Sequence, residues 1–259
     1  MLTFNADTTR QMELAYSGSD VTRRRRASFD AVNPEPGETI IDIGCGPGLL
    51  TLELARTLGS EGRVVAVDPS QDMRLAAAER CSAFPSVSVV AGTAASLPVG
   101  DCGANKAVSV QVFEYLDDIP AAVREAHRVL KPGGRLVVSD FHFGTWVWFS
   151  DNPERMNRMI AAWDHHFTER GVPALLPPIL KEAGFRLERI TPITVFDHVL
   201  RPDGLAQMLL TMMESFVVKK GLVDDDVAKA WSQEQKALAQ SGRFFFSLTH
   251  FIVEARKMG

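Results

Sequence analysis

Thr39-Ile-Ile-Asp-Ile-Gly-Cys-Gly-Pro-Gly-Leu-Leu50 is the stretch that decides the fold. Ile40, Ile41 and Ile43 form a short β-branched run, the composition of a strand buried on both faces of a parallel sheet. Gly44, Gly46 and Gly48 follow, and Leu49 to Leu58 reads as a helix apolar nearly all round. A strand, a glycine turn and a helix in succession set bare backbone and a positive helix N-terminus against a ligand. The spacing is G-x-G-x-G, and Leu49 stands where a dinucleotide fingerprint has its last glycine. A second strand, Arg63 to Asp68, ends in a carboxylate twenty residues after Gly48, where it can accept hydrogen bonds from ribose hydroxyls.

Working outward, Pro34 to Gly37 is a turn that launches the first strand, and Pro69-Ser70-Gln71-Asp72 opens a helix with cap chemistry. Strands are expected over Val87 to Ala91, Lys106 to Val112, Arg135 to Asp140, Phe185 to Phe196 and Phe244 to Glu254. Helices are expected over Ile119 to Leu130 and Pro173 to Ala183, with Lys131-Pro-Gly-Gly134 as a stop. Strands alternating with helices make an α/β sheet of mostly parallel strands.

Glu38 to Gly48, Val64-Val-Ala-Val-Asp-Pro-Ser70 and Val129-Leu-Lys-Pro-Gly-Gly-Arg-Leu-Val-Val138 together resemble the class I S-adenosylmethionine-dependent methyltransferases. The nearest flavour is the small-molecule group similar to the ubiquinone and menaquinone C-methyltransferases, and the similarity covers about Pro34 to Val138. The resemblance implies a Rossmann-like seven-stranded, mostly parallel sheet with an antiparallel last strand, helices on both faces, and helical cap and lid insertions. Residues 1–33 would be an N-terminal helical cap of two short helices and 34–259 the S-adenosylmethionine-binding domain. Insertions 142–172 and 199–242 would cover the acceptor.

The cofactor implied is S-adenosyl-L-methionine, leaving as S-adenosyl-L-homocysteine, with no metal. Its site would comprise Asp42, Gly44, Cys45, Gly46, Gly48, Asp68, Pro69, Met73, Thr93, Ala94, Gln111 and Val112, with Met73 on the adenine ring. Thr93 departs from the family pattern, which has an acid there, so the adenine amino group would be bound more weakly or by backbone. Gln111 reads equally as a ligand to cofactor or acceptor and as a helix cap.

The region after the fifth strand, Phe141-His-Phe-Gly-Thr-Trp-Val-Trp-Phe149, is markedly aromatic, and a helix with Met156, Met159 and Trp163 follows. Tyr16, Tyr115, His142, Trp146, Trp148, Trp163 and His166 are the candidate acceptor-pocket residues; an ordinary packed core accounts for the same aromatics. Aromatic faces can hold a ring or a cation. His142 and Tyr16 are the candidate catalytic groups, His142 as a general base. His165 and His166 are adjacent and cannot share a helix face, which argues against a paired metal site. Between the last strands, Leu205, Met208, Leu209, Met212, Met213, Phe216 and Val217 recur at helical spacing, and Val227 to Leu238 is a second helix. Such a segment is a lid or a homodimer contact.

The 259 residues carry 28 Lys and Arg against 32 Asp and Glu, a net charge of −4, which argues against a polyanion such as nucleic acid as main partner. Arg23 to Arg26 reads as a solvated helix face, or as an arginine gripping an acidic group. No apolar run spans a bilayer and no signal-peptide core opens the chain; with three cysteines at no metal-like spacing, the expected setting is the cytoplasm. Methyl transfer to a small, partly apolar or aromatic metabolite at nitrogen, oxygen or carbon is the leading reading. A non-catalytic donor-binding adaptor or sensor is the alternative. An RNA methyltransferase would want a basic module and an Asn/Asp-Pro-Pro-Tyr signature, and an NAD dehydrogenase a Tyr-x-x-x-Lys pair; none of these occurs.

Overall fold

The computed structural model describes residues 18–259. Eight strands form one sheet: β1 (Thr39–Ile43), β2 (Arg63–Asp68), β3 (Val87–Ala91), β4 (Ala104–Val110), β5 (Leu130–Phe141), β6 (Val147–Trp148), β7 (Phe185–Asp197) and β8 (Phe246–Lys257). Their order is β3-β2-β1-β4-β5-β8-β6, with β7 on the other side of β8. The first five are parallel and β8 runs antiparallel to β5, β6 and β7. The architecture is the one expected, with one strand more: β6 is a two-residue strip that extends the β5 edge along β8. Strand β7 pairs only with β8, and Pro192, which can donate no ladder bond, is tolerated there because the strand lies at an edge.

Helices α1 (Ser19–Val32), α2 (Leu49–Leu58), α3 (Gln71–Arg80), α4 (Ile119–Val129), α5 (Pro153–Trp163), α6 (Val172–Glu182), α7 (Leu205–Lys219) and α8 (Asp225–Gln240) complete the chain. Two clusters sandwich the sheet. Phe29, Val32, Leu50, Leu54 and Leu58 bury one face; Ala122, Val123, Ala126, Leu176 and Leu180 bury the other. A third cluster joins both insertions, since Trp148, Met156, Met159 and Trp163 pack with Leu209, Met213, Val217 and Trp231. The two insertions are therefore one unit, stitched by a bond of 3.0 Å from Trp148 Nε1 to Gln235 Oε1.

Of the two N-terminal helices expected, the first lies outside the described residues; the second is α1, and it carries a polar stripe on its buried face. Asp20, Arg24 and Ser28 follow at i, i+4 spacing, so all three point inward. Asp20 accepts from Arg201 Nη2 and from the backbone N–H of Leu205, tying α1 to the start of α7. Ser28 Oγ donates to Arg24 O (3.0 Å), so Ser139 Oγ must donate to Ser28 (2.8 Å), and His250 Nε2 must then donate to Ser139 (2.7 Å). That one-way chain fixes His250 as the Nε2–H tautomer. Burial, then the Arg24 charge, holds the His250 ring far below the usual histidine range and so neutral. Ser139→Ala leaves a buried imidazole N–H and a buried hydroxyl short of a partner, and should cost about 1–3 kcal/mol in urea unfolding. A cost near zero would show that the chain does not hold α1 to the sheet.

Candidate active site

The carboxyl ends of β1, β2 and β4 meet at the turn after Ile43, where Gly44 N donates to Val67 O and Val112 packs on Gly44. Gly44, Gly46 and Gly48 have φ of 70°, 51° and 79°, the left-handed region that favours glycine. Their surroundings differ. A Cβ on Gly44 would run into the Val112 side chain, and one on Gly48 would lie 2.9 Å from Ala77 Cα. A Cβ on Gly46 would meet nothing within 4 Å. The outer two glycines are needed for close packing, and the middle one leaves bare main chain facing open space.

Asp68 closes this turn from the end of β2. It is 7% exposed, its Oδ2 accepts from Gly46 N at 2.9 Å, and its Oδ1 accepts from Ser70 N at 2.8 Å. One lone pair on each oxygen is left for another donor. Burial raises the Asp68 carboxyl, opposed by the Ser70 and Gly46 N–H groups and the Arg74 charge. Asp42 is buried beneath, accepting from Thr51 Oγ1 at 2.6 Å. Burial and the Asp68 charge push it up to about 6 against the Thr51 bond. Cys45 is buried beside them and Pro69 is exposed. Met73, buried on the first turn of α3, sits where Ser70 caps that helix. Thr93 exchanges both backbone bonds with Ser96, and Ala94 is buried. The Thr93 N–H that could have served a ligand is thus already engaged.

Beyond β4, Gln111 adopts φ of 56°, unusual for a side-chain-bearing residue and typical of constrained sites. Its Oε1 accepts from Arg24 Nη1 at 2.8 Å. The arginine run therefore divides: Arg23 and Arg26 are exposed, Arg25 pairs with Glu53, and Arg24 is buried with its guanidinium 4.4 Å above the Phe141 ring. A solvated face describes the run's outer members only, because α1's inward stripe captures Arg24.

Two further carboxyls lie here: Glu114, which the sequence places with Tyr115 at the mouth of the site, and Asp140, which it does not mark as a site residue. Glu114, in the short turn Phe113–Tyr115, and Asp140, near the end of β5, are each 1% exposed. Among the described residues none meets their four oxygens at full hydrogen-bond geometry. Burial drives Glu114 well above the carboxylate range, reinforced by the Asp140 charge and opposed by Arg24 and by the Tyr115 and Gln111 side chains, which lean toward it. Burial pushes Asp140 up to about 7, opposed by the N–H groups of Glu114 and Val112, which lean toward it. Polar side chains in a hydrophobic pattern, Glu114 after Val112-Phe113 and Asp140 before Phe141, were the available signal.

These raised groups set a pH dependence. Asp42 and Asp140 bind protons more tightly folded than unfolded, so their contribution is complete below about pH 4 and is lost as pH rises through about 6 and 7. Stability should fall between pH 5 and pH 8 by on the order of 1–3 kcal/mol, and Asp140→Asn should flatten that slope and be the more stable chain at pH 8. Urea midpoints that do not change with pH in this window would contradict it.

The loop 164–170 lies over this end of the sheet, because Thr168 N and Glu169 N both donate to Glu114 O. It brings together three of the expected pocket residues. Tyr115 is 41% exposed with its hydroxyl 3.2 Å from His166 Nε2, and Trp163 stacks on His166 at 4.3 Å. Phe167 and Phe216 close the ring of aromatics. Burial holds His166 down at about 4, so the ring is neutral, and its Nε2 shares one hydrogen bond with the tyrosine hydroxyl. Trp146 and Trp148 stack one layer away, and the indole N–H groups of Trp146 and Trp163 are buried with no partner among the described residues. His142 uses Nδ1 to accept from Gly144 N at 3.1 Å, capping its own turn. Tyr16 lies outside the described residues. Among the described residues no three metal-binding side chains gather, and no helix is long and apolar enough to cross a membrane.

Residues 41–138 match the family model described as a methyltransferase domain. Over 235 residues the chain is 30% identical to a 37.1 kDa protein in a transposon of Streptomyces fradiae, covering 88% of this chain and 65% of that one. It is 34% identical over 137 residues to the demethylmenaquinone methyltransferase of Desulfitobacterium hafniense, 49% of this chain and 54% of the relative. The chain thus spans between half and two thirds of the length of these relatives. Among solved structures, phosphoethanolamine N-methyltransferase 2 of Haemonchus contortus, bound to phosphomonomethylethanolamine and S-adenosylhomocysteine, aligns with a TM-score of 0.63 at 15% identity, covering 99% of this chain and 59% of that one. That likeness is one of fold.

Proposed function

We propose that this chain, whose residues 41–138 match a methyltransferase-domain model, is a class I S-adenosylmethionine-dependent methyltransferase that transfers a methyl group to a small, partly apolar or aromatic acceptor. The observation that carries the reading is the open main chain at Gly46 beside the half-satisfied Asp68 carboxylate. The charges around it support this donor over a dinucleotide. Asp42, Asp68, Glu114 and Asp140 are all buried at these strand ends, with Arg24 and Arg74 as the cations among them in the described residues. A pyrophosphate dianion would be repelled there, and a sulfonium with an ammonium group attracted.

S-adenosylmethionine supplies an activated methyl on a leaving group that departs neutral. What remains for the protein is placement and exclusion of water, where orientation alone is worth about 7–11 kcal/mol. Asp68 would hold the ribose, Gly46 the backbone side of the donor, and Val112 the wall packed on Gly44. The joined insertions 142–172 and 199–242 would cover the acceptor, with Tyr115, Trp163 and His166 as its aromatic wall. The unpartnered indole N–H groups of Trp146 and Trp163 favour an acceptor that carries a hydrogen-bond-accepting oxygen as well as an apolar body.

Incubating the chain with S-adenosylmethionine and a panel of quinols, phenols and amines, and following S-adenosylhomocysteine by mass spectrometry, tests this. Product above the acceptor-free level with a ring-bearing compound is expected. Tight donor binding with no turnover on any acceptor would turn the reading toward a donor-binding sensor.

A further inference from the structure

We propose that Glu114 and Asp140 form a counter-charge site for the sulfonium of the methyl donor, a buried carboxyl pair that sheds a proton when the cation arrives and recovers one when the neutral thioether is left. The proposal rests on the donor assigned above and adds how the protein tells donor from product.

The placement comes from strand register. Val110 of β4 lies opposite Ser139 of β5, so the exits of the two strands set Gln111 beside Asp140. Val112 packs against Gly44 of the donor turn, and Glu114 follows two residues later in a turn whose backbone is held by Thr168 and Glu169. Both side chains are 1% exposed, and among the described residues no group meets their four oxygens at full hydrogen-bond geometry: the Glu114 and Val112 N–H groups only lean toward Asp140, and the Tyr115 and Gln111 side chains toward Glu114. Buried ionised carboxyls are retained only with a compensating charge or a proton.

The groups facing the pair do not supply that charge in full. From α1 comes Arg24, already engaged by Gln111 and lying over Phe141. From β8 comes His250, neutral by burial; from the loop after α5 comes His166, neutral as well and bonded to Tyr115. Farther off, at the glycine turn, Asp42 and Asp68 add negative charge, opposed at Asp68 by Arg74. Among the described residues Arg24 beside the pair and Arg74 beside Asp68 stand against four buried carboxyls, which leaves a site that holds protons while empty of cation and ionises when a cation enters.

The transfer then balances. Donor binding expels a proton from the pair to solvent. On transfer the methyl carbon–sulfur bond breaks, its electron pair stays on sulfur as the thioether lone pair, and the methyl joins a lone pair of the acceptor atom. The proton that the acceptor atom sheds returns to the carboxyl pair. Cationic donor, anionic pair and protonated acceptor become neutral thioether, methylated acceptor and protonated pair, and the attraction that held the donor is absent for the product.

Calorimetry of S-adenosylmethionine and S-adenosylhomocysteine binding to the full chain, in phosphate and in Tris, counts protons released by each ligand. Between pH 6 and 7, S-adenosylmethionine should release about half to one proton more than S-adenosylhomocysteine. Its affinity should rise about tenfold from pH 5.5 to 7.5 relative to the product's. Glu114→Gln and Asp140→Asn, isosteric replacements checked by thermal melting, should each shrink the proton difference and weaken S-adenosylmethionine while sparing S-adenosylhomocysteine. Equal proton counts for the two ligands in the wild-type chain, a readout that needs no variant, would overturn the proposal. So would variants that weaken both ligands alike. A wild-type chain that binds neither ligand would overturn the donor assignment itself, a separate failure.

Discussion

Asp68→Ala should weaken S-adenosylhomocysteine binding about a hundredfold. Hydrogen bonds to a charged group contribute about 1.5–3 kcal/mol each, so losing two ribose hydroxyl bonds amounts to about 3 kcal/mol, which is two decades in affinity. The substitution has a second action. Gly46 N and Ser70 N lose the acceptor that draws β2's exit against the glycine turn, so the turn becomes less ordered before any ligand arrives. Asp68→Asn separates the two effects, since an amide oxygen can keep one of these backbone bonds while the negative charge is gone. Its binding should fall between that of wild type and the alanine chain. Titration calorimetry reads all three, and a loss below tenfold for Asp68→Ala would mean that the carboxylate serves the turn and not a sugar.

The second large effect divides the three glycines. Gly46→Val should fold and fail to bind. Its backbone at φ 51° disfavours a β-branched residue by about 1–2 kcal/mol, but the new side chain enters open space. That same side chain stands where bare main chain meets the donor, so affinity should drop beyond detection. Gly48→Val should be defective in folding itself. Its Cβ meets Ala77 Cα and Cβ at 2.9 Å, and backbone of α3 cannot step aside as a side-chain tip can. Overpacking and positive φ together put the cost at about 3 kcal/mol or more, visible as a lowered melting temperature or insoluble chain. Equal stability for the two valine chains would remove the distinction between a packing glycine and a cradle glycine.

Much of this was legible in the residues. Period-two and β-branched runs placed the strands, and the unusual density of Gly44, Gly46 and Gly48 marked the donor turn, because local geometry of that kind is written in consecutive residues. Boundaries moved where backbone pairing outran the pattern: β5 begins at Leu130 and runs through the Pro132-Gly133-Gly134 irregularity, and the helix over Asp225–Gln240 continues past Leu238. Arg24 was hidden inside a run of four arginines. Only the helical phase linking Asp20, Arg24 and Ser28 distinguishes it, and that phase means something once the sheet beneath α1 is known. Glu114 and Asp140 lie on different elements, twenty-six positions apart, and come together through the β4–β5 register. The sequence places His142 at a strand end as a general base or an orienting group; that its Nδ1 serves the adjacent turn is visible only in the fold. Aromatic composition announced a packed apolar region after β5, and the division between Trp148 in the insertion core and Tyr115, Trp163 and His166 at the strand ends required the fold.

The central claim is that the turn after β1, with Asp68 beside it, binds a sulfonium-bearing nucleoside and not a pyrophosphate. Titrating the full chain with S-adenosylhomocysteine and with NAD in the same buffer tests it most directly. Saturable binding of S-adenosylhomocysteine at micromolar concentrations, with NAD at least a hundredfold weaker, is the result predicted. NAD binding as tightly as S-adenosylhomocysteine, or S-adenosylhomocysteine producing no heat and no thermal shift, would contradict it.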